Sequence, residues 1–267
     1  MIPVSAAGHP LVLAHRGGAA EAPENSLAAV AHMRALGVRH LETDAHATAD
    51  GVVVLHHDDV VDRTYDGSGA ISELTWDRVS RMRNAAGERM PLLAEVLDAN
   101  PDMYLNIDAK TDDVVAPLLD VLARHDAFDR VLLASFSESR LERIRATAPA
   151  GHVTTSLGVA AVTRLVAAAQ TASNPDSWHV PGPRRGARAV QVPECLGPVR
   201  VVTPRFVAAA HGAGLAVHVW TVNDAAAMVR LLDMGIDGLI TDRPTLAREL
   251  LRARGQWREP PAPPPAR

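Results

Sequence analysis

The chain has one cysteine, Cys195, in 267 residues, so an internal disulfide and a cysteine-based zinc site are both excluded. A lone thiol of this kind is expected to be buried and structural. Aromatic residues make up only 3% of the chain, so a core has to be assembled from Leu, Val, Ala and Ile. No apolar run approaches the ~20 residues that a membrane-spanning helix needs. Basic charge is not in excess: the formal net charge is −4 and the pI is near 6.3, which argues against a nucleic-acid partner. The N-terminal MIPVSAAGHP has no basic segment ahead of the strand-like Leu11–Ala14. No signal peptide is expected, and the protein is expected to be cytoplasmic with no membrane anchor. Lysine is nearly missing too. Lys110 stands alone against 26 arginines, two residues after Asp108 in LNIDAK, where a compact point charge suits a tight phosphate site better than a planar fork.

What is present is ordinary in bulk and regular in order. Hydrophobic content of 47% with mean hydropathy near zero fits a globular protein. Strand-like runs are expected at 11–14, 38–43, 103–107, 130–135, 152–156, 189–192, 216–222 and 238–241. Helical patterns are expected from a cap at Asn25 or Ser26 to Leu36, then at 91–99, 112–125, 138–147, 160–170, 204–213, 224–234 and 244–254. Eight β-then-α units predict a (β/α)₈ TIM barrel. Residues 65–91 break the rhythm, with a short helix expected at 72–82 capped by Ser72, and read as a small insertion above the barrel. Residues 171–188 read as a loop. One domain is expected over 1–258. The last nine residues, 259–267, hold five prolines and are expected to be a disordered tail.

The densest chemistry lies in LETDAHATADGVVVLHHDDVVDRT, residues 41–64. Asp50-Gly51 favours a two-residue type I′ hairpin turn. That turn would set Asp44 opposite His57, with Glu42 one diagonal step away on the same face. Strand ends elsewhere bring His15, Arg16, Asp108, Lys110, Ser135, Gln191, Trp220, Asn223 and Asp242 to the catalytic end of a barrel. Three carboxylates, Glu42, Asp44 and Asp108, cannot share one mouth unpaired. A divalent cation with all-oxygen ligands answers that; Mg²⁺ or Ca²⁺ is expected, with Mn²⁺ also open to the site. His15 and His57 suit a proton-transferring pair, and Arg16 and Lys110 suit the charge of a phosphoryl group. His46 and His56 face the other way by alternation, and His32, His40, His125, His152, His179 and His211 read as scaffold.

HRG at 15–17, PEN at 23–25, E-x-D at 42 and 44, T-x-D-G at 48–51 and H-D followed by R-T at 57, 58, 63 and 64 together resemble the glycerophosphodiester phosphodiesterase family of the PI-PLC-like superfamily. The resemblance implies a TIM barrel and metal-dependent hydrolysis of glycerophosphodiesters to glycerol 3-phosphate and an alcohol. It also implies His15 and His57 as general acid and base, Glu42, Asp44 and Asp108 as metal ligands, Arg16 and Lys110 on the phosphate, and Trp220 as a wall of the substrate pocket. The implied route is attack by the glycerol 2-hydroxyl, giving a cyclic phosphate that water opens. Two departures stand out: Asp108 where the family more often has Glu, and Ser26 where it has Thr. Relatives with the same set act on lysophospholipids or sphingomyelin, and a catalytically silent barrel binding phosphorylated ligands is a further alternative. With no basic amphipathic helix or apolar anchor in view, a water-soluble headgroup substrate is expected.

Overall fold

The computed structural model describes residues 2–5, 8–148 and 153–259; the tail expected at 259–267 lies almost wholly outside them, as does the start of the strand expected at 152–156. Eight parallel strands form the barrel: β1 (Leu11–His15), β2 (His40–Ala47), β4 (Tyr104–Ala109), β5 (Val131–Ala134), β6 (Thr154–Thr155), β7 (Ala189–Pro193), β10 (Ala216–Trp220) and β11 (Gly238–Thr241). Their order is β6-β5-β4-β2-β1-β11-β10-β7. A parallel bridge from Thr155 to Ala187 draws β6 to the chain entering β7 and nearly closes the ring. β3 (Val53–Leu55) pairs antiparallel with β2 outside the ring.

Helices return the chain between strands: α1 (Leu27–Ala35), α3 (Leu93–Ala99), α4 (Val115–Arg124), α5 (Glu138–Thr147), α6 (Val159–Thr171), α7 (Pro204–Gly212), α8 (Ala225–Asp233) and α9 (Pro244–Ala253). Their starts follow capping chemistry. Ser26 Oγ accepts from Ala29 N at 3.0 Å, Asp224 Oδ1 accepts from Ala227 N at 2.8 Å, and Pro204 and Pro244 occupy first-turn positions that need no donor. The core between sheet and helices is aliphatic, with Phe206 the one phenylalanine fully buried in it. Among the described residues no helix is long and apolar enough to cross a membrane.

Three local expectations are corrected. The insertion does not form one helix at 72–82: a 3₁₀ turn at Ile71–Glu73 is followed by α2 (Trp76–Val79), with Thr75 at the cap position. Ser72 is inside the first turn. This segment owns a separate small core of Val54, Val61, Tyr65, Ile71, Leu74 and Met82, which explains why it departs from the barrel's rhythm. Next, a two-residue ribbon, β8 (Cys195–Leu196) and β9 (Val199–Arg200), projects after β7. Strands this short carry no periodicity to read. Cys195 sits on that ribbon and is exposed, not buried.

The third concerns the hairpin. Ala45 pairs with Leu55, His46 with Val54 and Ala47 with Val53, and His56 N donates to Asp44 O at 3.0 Å. Asp44 therefore stands opposite His56, one residue off the expected register. A type I′ turn needs positive φ at both central positions, but of this pair only Gly51 has it, at 78°. Thr48 N instead donates to Val52 O at 3.0 Å and Gly51 N to Thr48 O at 2.9 Å, so the loop is three residues with a left-handed glycine at its end. Asp50 also accepts from Thr48 Oγ1 at 2.6 Å and from Trp76 N at 2.9 Å, which ties the turn to the insertion.

Gly158 at the foot of α6 offers a test of the joint between α5 and α6. Its N–H donates to Glu138 Oε2 at 2.7 Å, and Arg145 Nη1 donates to Glu138 Oε1 at 2.8 Å. A Cβ there would press into the Glu138 backbone, 2.7 Å from its Cα. Gly158→Ala is expected to cost about 1–3 kcal/mol in denaturant unfolding, and an unchanged midpoint would contradict this packing.

Candidate active site

The parallel ladders themselves assemble the acids. His15 pairs with Glu42 between β1 and β2, and Asp44 pairs with Asp108 between β2 and β4, so the polar positions of three neighbouring strands come level at one end. All eight residues expected at the site, His15, Arg16, Glu42, Asp44, His57, Asp108, Lys110 and Trp220, line a single cleft of about 480 Å³. His57 reaches it despite the register correction, because β3 stops at Leu55 and strand alternation no longer binds the residues beyond. His56 turns away: its Nδ1 donates to Asp58 O at 2.8 Å and its Nε2 accepts from Thr64 Oγ1 at 2.7 Å. His46 Nε2 donates to His57 O at 3.4 Å.

Lys110 is wedged between two carboxylates, with Nζ 2.7 Å from Asp44 Oδ1 and 2.8 Å from Asp108 Oδ2. Burial works against its charge, yet the two acids outweigh that and raise its pKa. Burial also pushes the Asp44 carboxyl up, but Lys110 and the amide of Asn25 hold it below the usual range. Asn25 Nδ2 donates to Asp44 Oδ2 at 3.0 Å, while its Oδ1 accepts from Thr43 Oγ1 at 2.7 Å. The asparagine of PEN thus orients a site acid, and the helix cap falls to Ser26. Glu42 has no such cation. Burial, then repulsion from Asp44, raises its pKa to about 7, and its one strong donor is Arg16 N at 3.2 Å.

The HRGG turn is built for close approach. Gly17 has φ 84°, and a Cβ on it would sit 2.6 Å from the Ala29 Cβ. Arg16 itself is left-handed at φ 52°, a costly state for a non-glycine residue that recurs at functional sites. Its Nε is buried with no hydrogen-bond partner, 3.7 Å from Asp44 Oδ2.

Both histidines are held at Nδ1 by an aspartate. His15 Nδ1 donates to Asp242 Oδ1 at 2.5 Å, and Asp242 Oδ2 accepts from Asn223 Nδ2 at 2.7 Å. His57 Nδ1 donates to Asp58 Oδ1 at 2.6 Å, and Asp58 Oδ2 accepts from Arg63 Nε at 2.6 Å. Arg63 then grips Glu24 at 2.9 and 2.7 Å, and Glu24 accepts from Arg16 Nη1 at 3.2 Å. Each Nε2 is left to the cleft as a proton acceptor in the neutral ring. Asp242 appears in the sequence only as one polar strand end among many, and Asp58 only within a motif. A carboxylate next to, or across the barrel from, a histidine is the signal, but its pairing is a matter of geometry.

As the side chains stand, no three His, Cys, Asp or Glu residues among those described converge closely enough to hold a metal ion; Lys110 occupies the space between Asp44 and Asp108. The donor chemistry nonetheless suits a hard cation. Asp108 Oδ1 is buried with no partner, and Glu42 has only the His15 ring, at 3.9 Å, as a counter-charge, so both acids are short of positive charge beside a third. Trp220 stands edge-on to Phe136, ring centroids 5.8 Å apart, and walls the far side of the cleft.

Burial depresses the His15 pKa, but the Asp242 hydrogen bond and the field of Glu42 overcome it, leaving the pKa raised from 6.5. Asp242→Asn removes the largest raising influence and leaves burial in place. In metal-free protein the NMR titration midpoint of the His15 ring is therefore expected to fall below that of the unsubstituted chain; an equal or higher midpoint would rule out this account of the contact.

A model of the glycerophosphoryl diester phosphodiesterase family matches residues 15–246. The Mycobacterium tuberculosis protein named "Probable glycerophosphodiester phosphodiesterase 2" is 39% identical over 251 residues, which are 94% of each chain. A glycerophosphodiester phosphodiesterase of Caldanaerobacter subterraneus subsp. tengcongensis is 29% identical over 259 residues, covering 92% of this chain and 99% of that one. Among solved structures, an Oleispira antarctica phosphodiesterase in complex with the product sn-glycerol-3-phosphate superposes with a TM-score of 0.77 at 24% identity, covering 92% and 98% of the two chains. The barrel, its motifs and these matches agree, and the chain belongs to the glycerophosphoryl diester phosphodiesterase family, an enzyme that hydrolyses phosphoric diesters.

Proposed function

We propose that the protein is a metal-dependent glycerophosphodiester phosphodiesterase that releases glycerol 3-phosphate and an alcohol by proton transfer through two histidines. The observation that carries this reading is the pair of His–Asp contacts, which leave the Nε2 atoms of His15 and His57 facing one cleft from different loops. One ring takes the proton of the attacking oxygen, and the other protonates the alkoxide as it leaves. The buried Glu42–His15 proximity, Nε2 to Oε2 at 3.9 Å, favours the protonated ring, which suits His15 to the acid role and leaves His57 as the base in the first step. The roles reverse when water opens the cyclic phosphate that attack by the glycerol 2-hydroxyl would give.

Glu42, Asp44 and Asp108 would hold a divalent cation, Mg²⁺ or Ca²⁺ with Mn²⁺ also accommodated, whose charge when bound polarises the phosphoryl oxygens. Arg16 and Lys110 bring donors to the same oxygens. Arg16 has an idle buried Nε, so a phosphate would satisfy an atom that the protein alone does not. Asp108 is one methylene shorter than a glutamate, which leaves its free oxygen further back from the cleft.

The test is release of glycerol 3-phosphate from a panel of glycerophosphodiesters with and without chelator. Chelation is expected to abolish release and added Mg²⁺ or Ca²⁺ to restore it. His15→Ala and His57→Ala are each expected to lower kcat by about 10²–10⁴-fold with the fold intact by circular dichroism. Retained activity in either variant, or indifference to chelator, would defeat the reading. A 2-deoxyglycerol substrate is expected to resist cleavage, and comparable turnover of it would sink the cyclic-phosphate route alone.

A further inference from the structure

The cleft is chemically two-sided. Every ionisable side chain lining it comes from β1, β2, β4 or the segments directly after β1, β3 and β4. The opposite wall, from the segments that follow β5, β6 and β7, is lined by Phe136, Leu157, Val159, Val162, Leu196 and Val199. Four of these face solvent: Leu196 is 71% exposed, Phe136 60%, Val159 56% and Val199 53%. They are half of the eight large exposed apolar side chains on the described surface. Apolar residues scattered singly need no explanation, but a contiguous group at a cleft does.

Two of the four are carried by a dedicated element. Leu196 pairs with Val199 across the β8–β9 ribbon, and both side chains point away from the core into the cleft's rim. A two-stranded ribbon of this size has no stability of its own to gain from such residues. Phe136 continues the surface inward through its edge contact with Trp220. The apolar wall is therefore continuous with the ionisable one within a single cavity.

A phosphodiester has two esterified alcohols. With its phosphorus held at the ionisable end, one of the two must run along the other wall. Among the residues lining that wall there is no carboxylate, and Gln191, its one amide, is occupied by Asn106 at 3.4 Å and His218 at 3.2 Å. The geometry points to a substrate in which one alcohol of the diester bears an alkyl or acyl chain, laid along Phe136, Val159, Leu196 and Val199. This rests on the phosphodiesterase reading of the same cleft and replaces the water-soluble headgroup expected from the sequence.

The chain could sit on the leaving alcohol or on glycerol, and two substrate series separate these. One is glycerol 3-phosphate esterified to ethyl, butyl, hexyl or octyl alcohol. The other is glycerophosphocholine carrying no acyl group, or a hexanoyl or octanoyl group at position 1, all kept below their micelle concentrations. In one series kcat/KM is expected to climb with chain length, by up to about three- to fourfold per methylene buried and at least tenfold from end to end. Leu196→Ser with Val199→Ser, both on the exposed ribbon, is expected to flatten that climb while leaving glycerophosphocholine or the ethyl ester unchanged. As a readout independent of turnover, n-octyl phosphate is expected to inhibit at least tenfold more strongly than methyl phosphate, and the double variant to lose that margin. Flat chain-length profiles in both series, with the short diesters cleaved, would overturn the apolar subsite and leave the phosphodiesterase standing. A dimer that the double variant dissolves, with no chain-length effect, would assign the wall to self-association instead. If no diester in either series is cleaved, the phosphodiesterase reading fails first.

Discussion

One ammonium among buried acids sets the terms for the barrel mouth. Parallel pairing fixes Asp44 beside Asp108 and Glu42 one step back on the same strand, and neighbouring strands lie only about 4.8 Å apart. Three carboxylates brought that close, each less than a tenth exposed, cannot all keep their charge without cations. Lys110 pairs with two of them and offsets one of their charges, and the third responds by holding its proton to a higher pH. The single lysine in an arginine-rich chain has a physical reason to be where it is. A compact ammonium fits between two carboxylates, whereas a guanidinium is broad and prefers to grip one of them edge-on. The same shortage of positive charge gives the place the donor chemistry of a divalent-cation site.

The histidines depend on a different principle, orientation by a partner on the far nitrogen. Their aspartates come from opposite ends of the chain: Asp58 is the next residue after His57, and Asp242 follows the last strand. Local and long-range contacts reach the same result, an imidazole with its Nδ1 tied and its Nε2 available. On the His57 side the tie extends through Arg63 and Glu24 to Arg16, linking the loops after β1 and β3. Arg63 is about half exposed, so its ion pairs contribute little to stability. Their value is geometric: they hold the His57 ring and Arg16 in fixed relation.

The barrel and its site were legible for different reasons. Alternating strand and helix patterns survive because each unit buries its own aliphatic face, as in Gly238–Thr241 and Glu138–Thr147, whose observed limits match the expected ones. Short motifs brought His15, Glu42 and Asp44 together because a parallel barrel levels its strand ends, and His57 joins them from the loop beyond β3, outside the ring. The hairpin register was not legible, since Asp50-Gly51 suits two loop lengths and only the backbone angles at Asp50 distinguish them. The β8–β9 ribbon escaped because two residues carry no period, and with it went the exposure of Cys195. The insertion's helix was misplaced because its apolar residues serve a local core with its own geometry. Asp242 and the Arg63–Glu24 bridge lie in tertiary space, where sequence separation says nothing about distance.

The two walls of the cleft are joined by one short segment. At the end of β5, Ser135 Oγ donates to Ala109 O at 3.0 Å, and Arg140 Nη1 donates to Ala109 O and Lys110 O, each at 2.8 Å. Arg140 Nε is in turn held by Asp112 Oδ1 at 2.7 Å. These contacts pin the backbone from which Lys110 reaches its two acids. Phe136, between Ser135 and the start of α5, leaves on the other side to meet Trp220 and the apolar rim. Its carbonyl accepts from Val159 N at 2.9 Å, which places Val159 beside it. Phe136 and Val159 are therefore carried by the same turn that is tied to the Lys110 backbone. Because that turn is fixed by several hydrogen bonds and not by one, it holds the apolar rim and the Lys110 backbone in one fixed relation.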